Sequence, residues 1–311
     1  MLQPARIAIV IPTRDEERSI EGVIADSRNA VTALGLDVTI IVTDDSRDNT
    51  REIAARCGAI IVPGGASGLG TAMLRGLKAA TQHAPDVIVS VDGDGQADVA
   101  DELARFVTPV LDGSADLVLG SRFAQPNLVQ YRYRWLNRVG TRILVALLRH
   151  QSGLPLTDSH GGIRAMHPRV ARELELIGTH TYVQESIIDA SEKGFRVLEI
   201  PSVWKPRRHG SSRVVRSIPK YVFYTLPVIL LRSGSHIRWL YSAGILASMG
   251  GLAVFAIVIL QEGLTLRLGH RLPALTLTGL LITTGAQLFF FGLVLQLLKQ
   301  INRATGHGDH G

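Results

Sequence analysis

Short apolar runs alternate with longer amphipathic stretches through the first 123 residues of the chain. The apolar runs predict strands, and the stretches with apolar residues three or four positions apart predict helices. The predicted strands are 6–13, 38–45, 59–65, 86–95 and 115–123, and the predicted helices are 19–35, 50–58, 69–84 and 98–113. Strands that alternate with helices predict an α/β fold with a mainly parallel sheet, covered by helices on both faces.

Polar clusters follow four of these predicted strands directly. They occupy 12–17, 43–46, 92–96 and 120–122. Because ligands bind at the C-terminal ends of parallel strands, we expect these clusters to meet at one edge of the sheet and form a binding site.

Two long apolar runs near the C-terminus contain no charged residue, at 240–260 and 273–298. Each is long enough to cross a bilayer, which takes roughly 20 helical residues. A pair of buried helices in a soluble protein is the alternative, but core helices of that length usually carry some charge. The sequence therefore predicts two transmembrane helices.

The predicted topology places the N-terminal part in the cytoplasm. The first apolar run is short, has no small-residue cleavage site and leads at once into charged residues, so it predicts a buried strand and not a secretory signal. Basic residues also follow the positive-inside rule in part, since they flank the outer ends of the two runs and occur in the connector as well. The outer ones are Arg232, Arg238, Lys299 and Arg303, and those in the connector are Arg267 and Arg271.

The chain is basic, with a net charge of +6 among 311 residues. Its positive residues gather in 131–142 and 205–216. A basic surface next to a membrane attracts anionic headgroups or phosphate-bearing substrates. Nucleic acid is not an expected partner, because the sequence has no zinc-finger, helix-turn-helix or RNA-binding signature. The single cysteine, Cys57, excludes an internal disulfide.

The sequence VDGDGQ places Asp92 and Asp94 one residue apart, directly after an apolar strand. Two carboxylates so close together stay charged only when a cation or solvent screens them. Their oxygens, with the amide oxygen of Gln96, suit a hard divalent cation that also binds a diphosphate. A simple turn with no ligand, or a calcium-type loop, is the alternative interpretation.

Seven motifs occur in an order that resembles the family 2 glycosyltransferases of GT-A fold, especially the polyprenyl-phosphate hexosyltransferases. These motifs are PTRDEE (12–17), TDDSRDNT (43–50), GLGTAMLRG (68–76), DGDGQ (92–96), GSRF (120–123), DSHGGIRAM (158–166) and RRHGSSR (207–213). The resemblance implies a membrane-anchored, inverting enzyme that transfers one hexose from a nucleotide-diphosphate sugar, of the GDP-mannose or UDP-glucose type, to a polyprenyl phosphate. It also implies Mg²⁺ or Mn²⁺ as the cofactor.

The same resemblance assigns roles to individual residues. The metal ligands are Asp92, Asp94 and Gln96, and the catalytic residues are Asp92, Asp94 and Arg122. Donor binding is assigned to Pro12, Thr13, Asp15, Glu16, Asp44, Gly70, Asp92, Arg207, Arg208, Ser212 and Arg213. Acceptor binding is assigned to Ser121, Arg122, Arg134 and Arg138.

Three positions depart from the family pattern. Thr43 replaces an acid that usually precedes Asp44, which leaves the base of the donor open. Ile163 replaces an aromatic residue, and His160 is an unusual member of its loop, where a structural role is favoured over a catalytic one. Glu185, on a predicted helix, matches an acid of the family.

The predicted organisation is a cytoplasmic catalytic domain (1–216), a juxtamembrane segment (217–238), two transmembrane helices (239–299) and a tail (300–311). Other interpretations stay open. The acceptor could be another lipid such as diacylglycerol, the chain could be an inactive membrane scaffold, or the individual arginines could be solvated surface charges. Self-association is possible and is not specified by the sequence.

Overall fold

The protein is described by a computed structural model that covers residues 4–133, 135–176, 178, 182–207, 229, 235–262 and 271–306. The chain divides into two compact units, Met1–Ile229 and Leu230–Gly311.

A seven-stranded sheet forms the centre of the first unit. Its strands are β1 (Arg6–Thr13), β2 (Asp37–Asp44), β3 (Ile60–Pro63), β4 (Val87–Val91), β5 (Leu117–Ser121), β6 (Ile163–Met166) and β7 (Val197–Pro201). Their order across the sheet is β3-β2-β1-β4-β6-β5-β7, and β6 alone among these seven runs antiparallel to its neighbours. The predicted α/β fold with a mainly parallel sheet is confirmed.

Helices cover both faces of this sheet. They are α1 (Ile20–Ala33), α2 (Thr50–Arg56), α3 (Leu69–Thr81), α4 (Val99–Leu111), α5 (Trp135–Ser152), α6 (Pro168–Glu173) and α7 (Val183–Glu192). One hydrophobic core lies between the sheet and α1, α2 and α4, and a second lies between the sheet and α3, α5, α6 and α7. The five predicted strands, the four predicted helices and the helix around Glu185 are confirmed.

Close packing of α3 on the sheet depends on a glycine. A Cβ atom at Gly76 would lie 2.4 Å from Cγ1 of Val10 on β1 and 2.8 Å from Cγ2 of Thr43 on β2. The strands beneath are buried on both faces, which explains why β1 and β4 are continuous apolar runs without alternation.

The second unit contains two long apolar helices, α8 (Ser235–Glu262) and α9 (Leu272–Gly306). They pack against each other through small residues: a Cβ atom at Gly244 would lie 2.7 Å from the carbonyl oxygen of Gly285. The segments Ile237–Gln261 and Leu272–Leu298 are long and apolar enough to cross a membrane, and only 17% and 11% of their most apolar windows are buried. A soluble core helix would be mostly buried. Most of the predicted juxtamembrane segment, 217–238, lies outside the described residues.

Candidate active site

The C-terminal ends of β1 and β2 meet at a buried carboxylate, Asp44, which is 1% exposed. It accepts hydrogen bonds from Oγ1 of Thr13 at 2.9 Å and from Oγ of Ser46 at 2.5 Å. Nε of Arg51 lies 3.2 Å from its other oxygen. Asp44 is therefore held in one orientation at the end of the strand, where the sequence predicted a donor-binding acid.

The loop after β1 is joined to the loop after β2 by hydrogen bonds. Asp15 adopts a left-handed backbone conformation with φ of 53°, and its N–H donates to Oγ of Ser46 at 2.7 Å. Its carboxylate accepts from the N–H of Arg47 at 2.7 Å, while the N–H of Glu16 donates to Oγ1 of Thr50 at 2.9 Å. These two loops, which contain the first two predicted donor-binding clusters, are thus held together by hydrogen bonds.

The carboxylates predicted to bind metal follow β4 at the same edge. Asp94 is 6% exposed, and its Oδ1 accepts from the N–H of Gln96 at 3.0 Å. The intervening Gly93 lies against β1, where a Cβ atom would come within 2.9 Å of Cγ2 of Thr13. The turn can only approach β1 this closely because residue 93 has no side chain.

Burial, with the adjacent negative charge of Asp94 as the second cause, raises the pKa of Asp92 to about 7. The positive charges of Arg164, Arg207 and Arg122 oppose this rise. Two carboxylates that resist ionising together favour a cation between them.

Arg207 is a positively charged residue that contacts Asp94 and Gln96. Its Nη2 lies 2.6 Å from Oδ2 of Asp94, its Nε donates to Oε1 of Gln96 at 3.2 Å, and its Nη1 lies 4.0 Å from Oε1 of Glu16. The described residues contain no cluster of three or more His, Cys, Asp or Glu side chains suited to a metal. The two carboxylates and one amide predicted from the sequence would fit a hard cation whose other ligands come from a substrate or water.

Trp204, which follows β7, contacts a second charged region. Its ring centroid lies 4.7 Å from the guanidinium carbon of Arg122. A Cβ atom built at Gly162 would lie 2.6 Å from the indole ring and 2.9 Å from Oδ2 of Asp92, so the indole also lies close to the carboxylate edge. Its backbone N–H donates to the carbonyl of Leu128 at 2.8 Å. The sequence analysis missed this residue; an aromatic residue just before the basic run at 205–208 was the available signal.

Arg122 forms a buried bidentate ion pair with Asp158. Nε and Nη2 of Arg122 lie 2.6 and 2.7 Å from the two carboxylate oxygens. Burial opposes the charge on both groups, but their mutual attraction lowers the pKa of Asp158 to about 2 and raises that of Arg122. The guanidinium is thus fixed in orientation, and its donors are partly occupied.

Glu199 on β7 accepts hydrogen bonds from the loop that contains Asp158. Its carboxylate accepts from the N–H of Thr157 at 2.7 Å, from Oγ1 of Thr157 at 2.6 Å and from the N–H of Asp158 at 3.0 Å. Oγ1 of Thr157 also lies 2.6 Å from Oγ of Ser121, which is fully buried. Ser121 therefore contacts this network, and its direct contact with an acceptor stays a prediction.

A cavity of about 880 Å³ opens beside Arg122. Its walls include the loop 123–129, Thr157 and one face of α5, and none of the described residues that line it is acidic. The basic residues that line it are Arg122, Arg138, Arg142 and Arg149. The sequence predicted Arg122 and Arg138 as acceptor-binding residues. Arg142 and Arg149 were missed, although their helical spacing from Arg138 was a usable signal.

His160 is part of a hydrogen-bonded chain next to the ion pair. Its Nδ1 lies 2.6 Å from Oγ of Ser159, and its Nε2 lies 3.1 Å from Nε2 of Gln184. Burial, with the positive charge of Arg122 as the second cause, lowers the pKa of His160 to about 4. The ring is therefore neutral near pH 7, which suits the structural role favoured from the sequence.

The remaining predicted site residues fall into two groups. Pro12 pairs with Thr43 at the end of β1, and Gly70 is buried in the first turn of α3. The others lie outside the described residues: Arg134, Arg208, Ser212 and Arg213.

The chain belongs to glycosyl transferase family 2, whose sequence profile matches residues 8–175. It is 27% identical to the glycosyltransferase AglJ of Haloferax volcanii over 308 residues, which is 97% of each chain. It is 26% identical to the polyprenol monophosphomannose synthase of Mycolicibacterium smegmatis, over 67% of this chain and 81% of that protein.

The fold resembles that of glucosyl-3-phosphoglycerate synthase from Mycobacterium tuberculosis. That structure contains Mn²⁺, UDP-glucose and phosphoglyceric acid. The TM-score is 0.57 with 21% identity, and the match covers 74% of this chain and 80% of the other. This likeness establishes a GT-A type fold for the catalytic unit.

Proposed function

We propose that this chain is a membrane-anchored glycosyltransferase that moves one hexose from a nucleotide-diphosphate sugar to a polyprenyl phosphate. The observation that supports this most strongly is that a carboxylate edge at Asp92 and Asp94 and an arginine-lined cavity beside Arg122 occur in the same unit, with Trp204 close to both Asp92 and Arg122. The name of the mycobacterial relative supports a lipid phosphate as acceptor.

The donor binds at the carboxylate edge. Asp44 offers a fixed hydrogen-bond acceptor for the nucleoside, since its orientation is set by Thr13 and Ser46. Arg207, which contacts Asp94, brings positive charge to the diphosphate. The base and the sugar are not specified by these contacts, and donors of the GDP-mannose and UDP-glucose types both fit the proposal.

Asp92, Asp94 and Gln96 would hold Mg²⁺ or Mn²⁺. When bound, such an ion supplies Lewis-acid stabilisation of the negative charge that develops on the leaving diphosphate. The metals named with structural relatives support this choice of cofactor.

The acceptor phosphate binds in the arginine-lined cavity. Guanidinium groups bind phosphate oxygens in a bidentate manner, and Arg138 and Arg142 have exposed side chains on the cavity wall. Arg122 contributes mainly through its fixed positive charge, because two of its donors already contact Asp158. A phosphate monoester is anionic at neutral pH, so its oxygen needs no strong general base to act as the nucleophile.

The acceptor oxygen displaces the diphosphate in one step. Its lone pair forms the new bond to the anomeric carbon while the bond to the diphosphate breaks, and the electron pair leaves on the nucleoside diphosphate. A single displacement inverts the configuration, so an α-linked donor should give a β-linked lipid phosphosugar. NMR of the purified product would test this step: an α-linked product from an α-linked donor would contradict it.

A screen of nucleotide sugars tests the proposal as a whole. The full chain in lipid vesicles would be incubated with each radiolabelled donor, polyprenyl phosphate and Mg²⁺ or Mn²⁺, and label in the lipid phase would be counted. We expect transfer from one donor class, and its loss in EDTA. Equal transfer in excess EDTA would contradict the metal assignment, and absence of transfer from all donors would contradict the proposed reaction.

A further inference from the structure

A carboxylate interrupts the apolar face of α4. The buried positions of this helix recur at helical spacing, and they are Val99, Glu102, Leu103, Phe106, Val107 and Val110. Glu102 is only 3% exposed. Burial raises the pKa of its carboxyl group, and hydrogen bonds to the side chain oppose this rise. Because a buried carboxylate costs free energy unless its oxygens are hydrogen-bonded, these bonds are needed to keep Glu102 in the core.

Both oxygens of Glu102 accept hydrogen bonds from the residues that follow β7. Oε2 accepts from Oγ of Ser202 at 2.6 Å, and Oε1 accepts from the N–H of Val203 at 2.6 Å. Ser202 also lies against β5, since a Cβ atom at Gly120 would come within 3.0 Å of its Cβ atom. The chain is therefore held between α4 and the sheet at the point where it leaves β7.

The backbone N–H groups of residues 202–205 all donate hydrogen bonds. Three of them donate to backbone carbonyl groups at 2.8 to 2.9 Å. These pairs are Ser202 with Ser121, Trp204 with Leu128, and Lys205 with Gln96. The N–H of Val203 is the one of these four that donates to a side chain. Glu102 thus supplies the acceptor at the position where no backbone carbonyl does.

The segment 202–207 carries two side chains of the proposed active site. The ring of Trp204 lies next to Arg122, and Arg207 contacts Asp94. The buried indole N–H of Trp204 has no hydrogen-bond partner among the described residues, so the backbone that carries the ring must fix its position. Arg207 follows only three residues later. A displacement at Val203 would therefore move both side chains.

We propose that Glu102 is a positioning residue for sugar transfer, which holds the segment 202–207 so that Trp204 and Arg207 keep their places in the site. Glu102 acts through Ser202 and Val203 and not by contact with a substrate. Its own position is fixed by the core packing of α4. The inference rests on the proposed function, and it extends the machinery of that function to α4.

Substitutions at Glu102 distinguish its hydrogen bonds from its charge. Glu102→Met keeps the length of the side chain but leaves the N–H of Val203 without an acceptor. Glu102→Gln can keep both contacts, because its carbonyl oxygen accepts from Val203 and its amide donates to the hydroxyl of Ser202, which accepts as well as donates. Val107→Ala is the matched control, since it truncates a buried side chain of the same helix and leaves both hydrogen bonds in place.

Acrylamide quenching of Trp204 fluorescence reports on the segment without turnover. The other two tryptophans, Trp135 and Trp239, are 72% and 75% exposed and would be replaced by Phe in the full chain, reconstituted in vesicles. Trp204 is 7% exposed, so its quenching should be weak. We expect Glu102→Met to raise the quenching constant about threefold, because a buried N–H without a partner favours local opening. Glu102→Gln and Val107→Ala should match the parent chain.

Initial rates of sugar transfer give the second readout. We expect Glu102→Met to lower kcat about tenfold, since small displacements of positioned groups slow the reaction. Glu102→Gln should restore the parent rate, and Val107→Ala should retain it. An unchanged value of either readout in Glu102→Met would overturn the inference, as would equal changes in Val107→Ala. Equal impairment by Gln and Met would overturn the role of the two hydrogen bonds.

Ser202→Ala provides a second test if Glu102→Met does not fold. It removes one of the two hydrogen bonds and leaves the N–H of Val203 paired with Glu102. A rise in the quenching of Trp204 would support the inference, and unchanged quenching would overturn it. Absence of transfer by the parent chain would contradict the proposed function instead, and the quenching comparison would still decide whether Glu102 holds the segment.

Discussion

The carboxylate edge and the arginine-lined cavity hold their charges in different ways. At the carboxylate edge, Asp92 and Asp94 repel each other, and Arg207 forms an ion pair with Asp94. Beside the cavity, Arg122 is locked in a buried ion pair with Asp158. One region has negative charge in excess, and the other has a neutralised pair surrounded by further arginines.

Because of this difference, we expect substitutions at the carboxylate edge to affect substrate binding and transfer, and substitutions at the ion pair to affect stability. A crowded pair of carboxylates gains from a cation that arrives with the substrate, so its loss should affect transfer more than folding. A buried ion pair costs much when one partner is removed, because the other charge stays buried and uncompensated. Substitutions on the two sides should therefore give opposite patterns of activity and stability.

Asp94→Asn should have the largest effect. It removes a carboxylate from the proposed metal site while keeping the shape of the side chain, and it should cost about 4 kcal/mol of barrier stabilisation, or about 1000-fold in rate. Initial rates of sugar transfer measure the loss. The control is Asp112→Asn at an exposed position after α4. If Asp94→Asn retained half of the activity, the carboxylate edge would not be the metal site.

Asp158→Asn should chiefly lower stability. It leaves the Arg122 guanidinium buried without its carboxylate, and the free energy of unfolding should fall by ~3 kcal/mol. Denaturant unfolding of the solubilised chain would measure it. Glu173→Gln, which breaks an exposed pair with Arg169, should change it by less than about 0.5 kcal/mol. Equal effects of the two substitutions would show that the buried pair does not anchor this side of the site.

Arg138→Gln should weaken acceptor binding by about tenfold in the apparent KM for polyprenyl phosphate, because one charged hydrogen-bonding group is lost. The KM for the donor should be unchanged. Arg169→Gln on α6 is the control, as Arg169 is exposed and does not line the cavity. A rise in the KM for the donor alone would show that Arg138 binds the donor and not the acceptor.

The smallest predicted effect is that of His160 on the stability of the fold at acidic pH. The folded pKa of His160, about 4, lies below its ordinary value of about 6.5, so the unfolded chain takes up a proton first as the pH falls through this interval. The contribution of His160 to the free energy of unfolding should therefore fall by about 1 kcal/mol from pH 6.5 to 4, while the raised pKa of Asp92 acts in the opposite direction. His160→Gln should lessen that part of the decline. Asp158 loses its stabilising charge only near pH 2, outside this window. An unchanged acid profile in the variant would exclude His160 as its source.

The N-terminal half of the fold was predictable because the pattern that specifies each strand or helix lies within that element's own sequence. β1 to β5 are continuous apolar runs, and α1 to α4 repeat apolar residues at helical spacing. The convergence of Asp44 and Asp92 followed from the parallel sheet, since strand ends share one edge. The antiparallel strand β6 was not predicted, because nothing in four residues at 163–166 specifies the direction of pairing.

The contacts between the two sides of the site depended on tertiary structure. Arg122 and Asp158 are 36 positions apart, and the contact of Trp204 with Arg122 joins segments that are further apart still. The sequence identified Arg122 as basic and accessible to an acceptor, but it could not show that Asp158 occupies two of its donors. The cavity-lining role of Arg142 and Arg149 likewise required the position of α5 on the sheet.

The central claim is that the arginine-lined cavity binds a lipid phosphate. The most direct measurement compares sugar transfer to polyprenyl phosphate, to the corresponding free polyprenol and to diacylglycerol, with the full chain in the same vesicles and the same donor. We predict transfer to the phosphorylated lipid alone, with Arg138→Gln reducing it. Transfer to diacylglycerol or free polyprenol at a comparable rate, with polyprenyl phosphate left unreacted, would contradict the account.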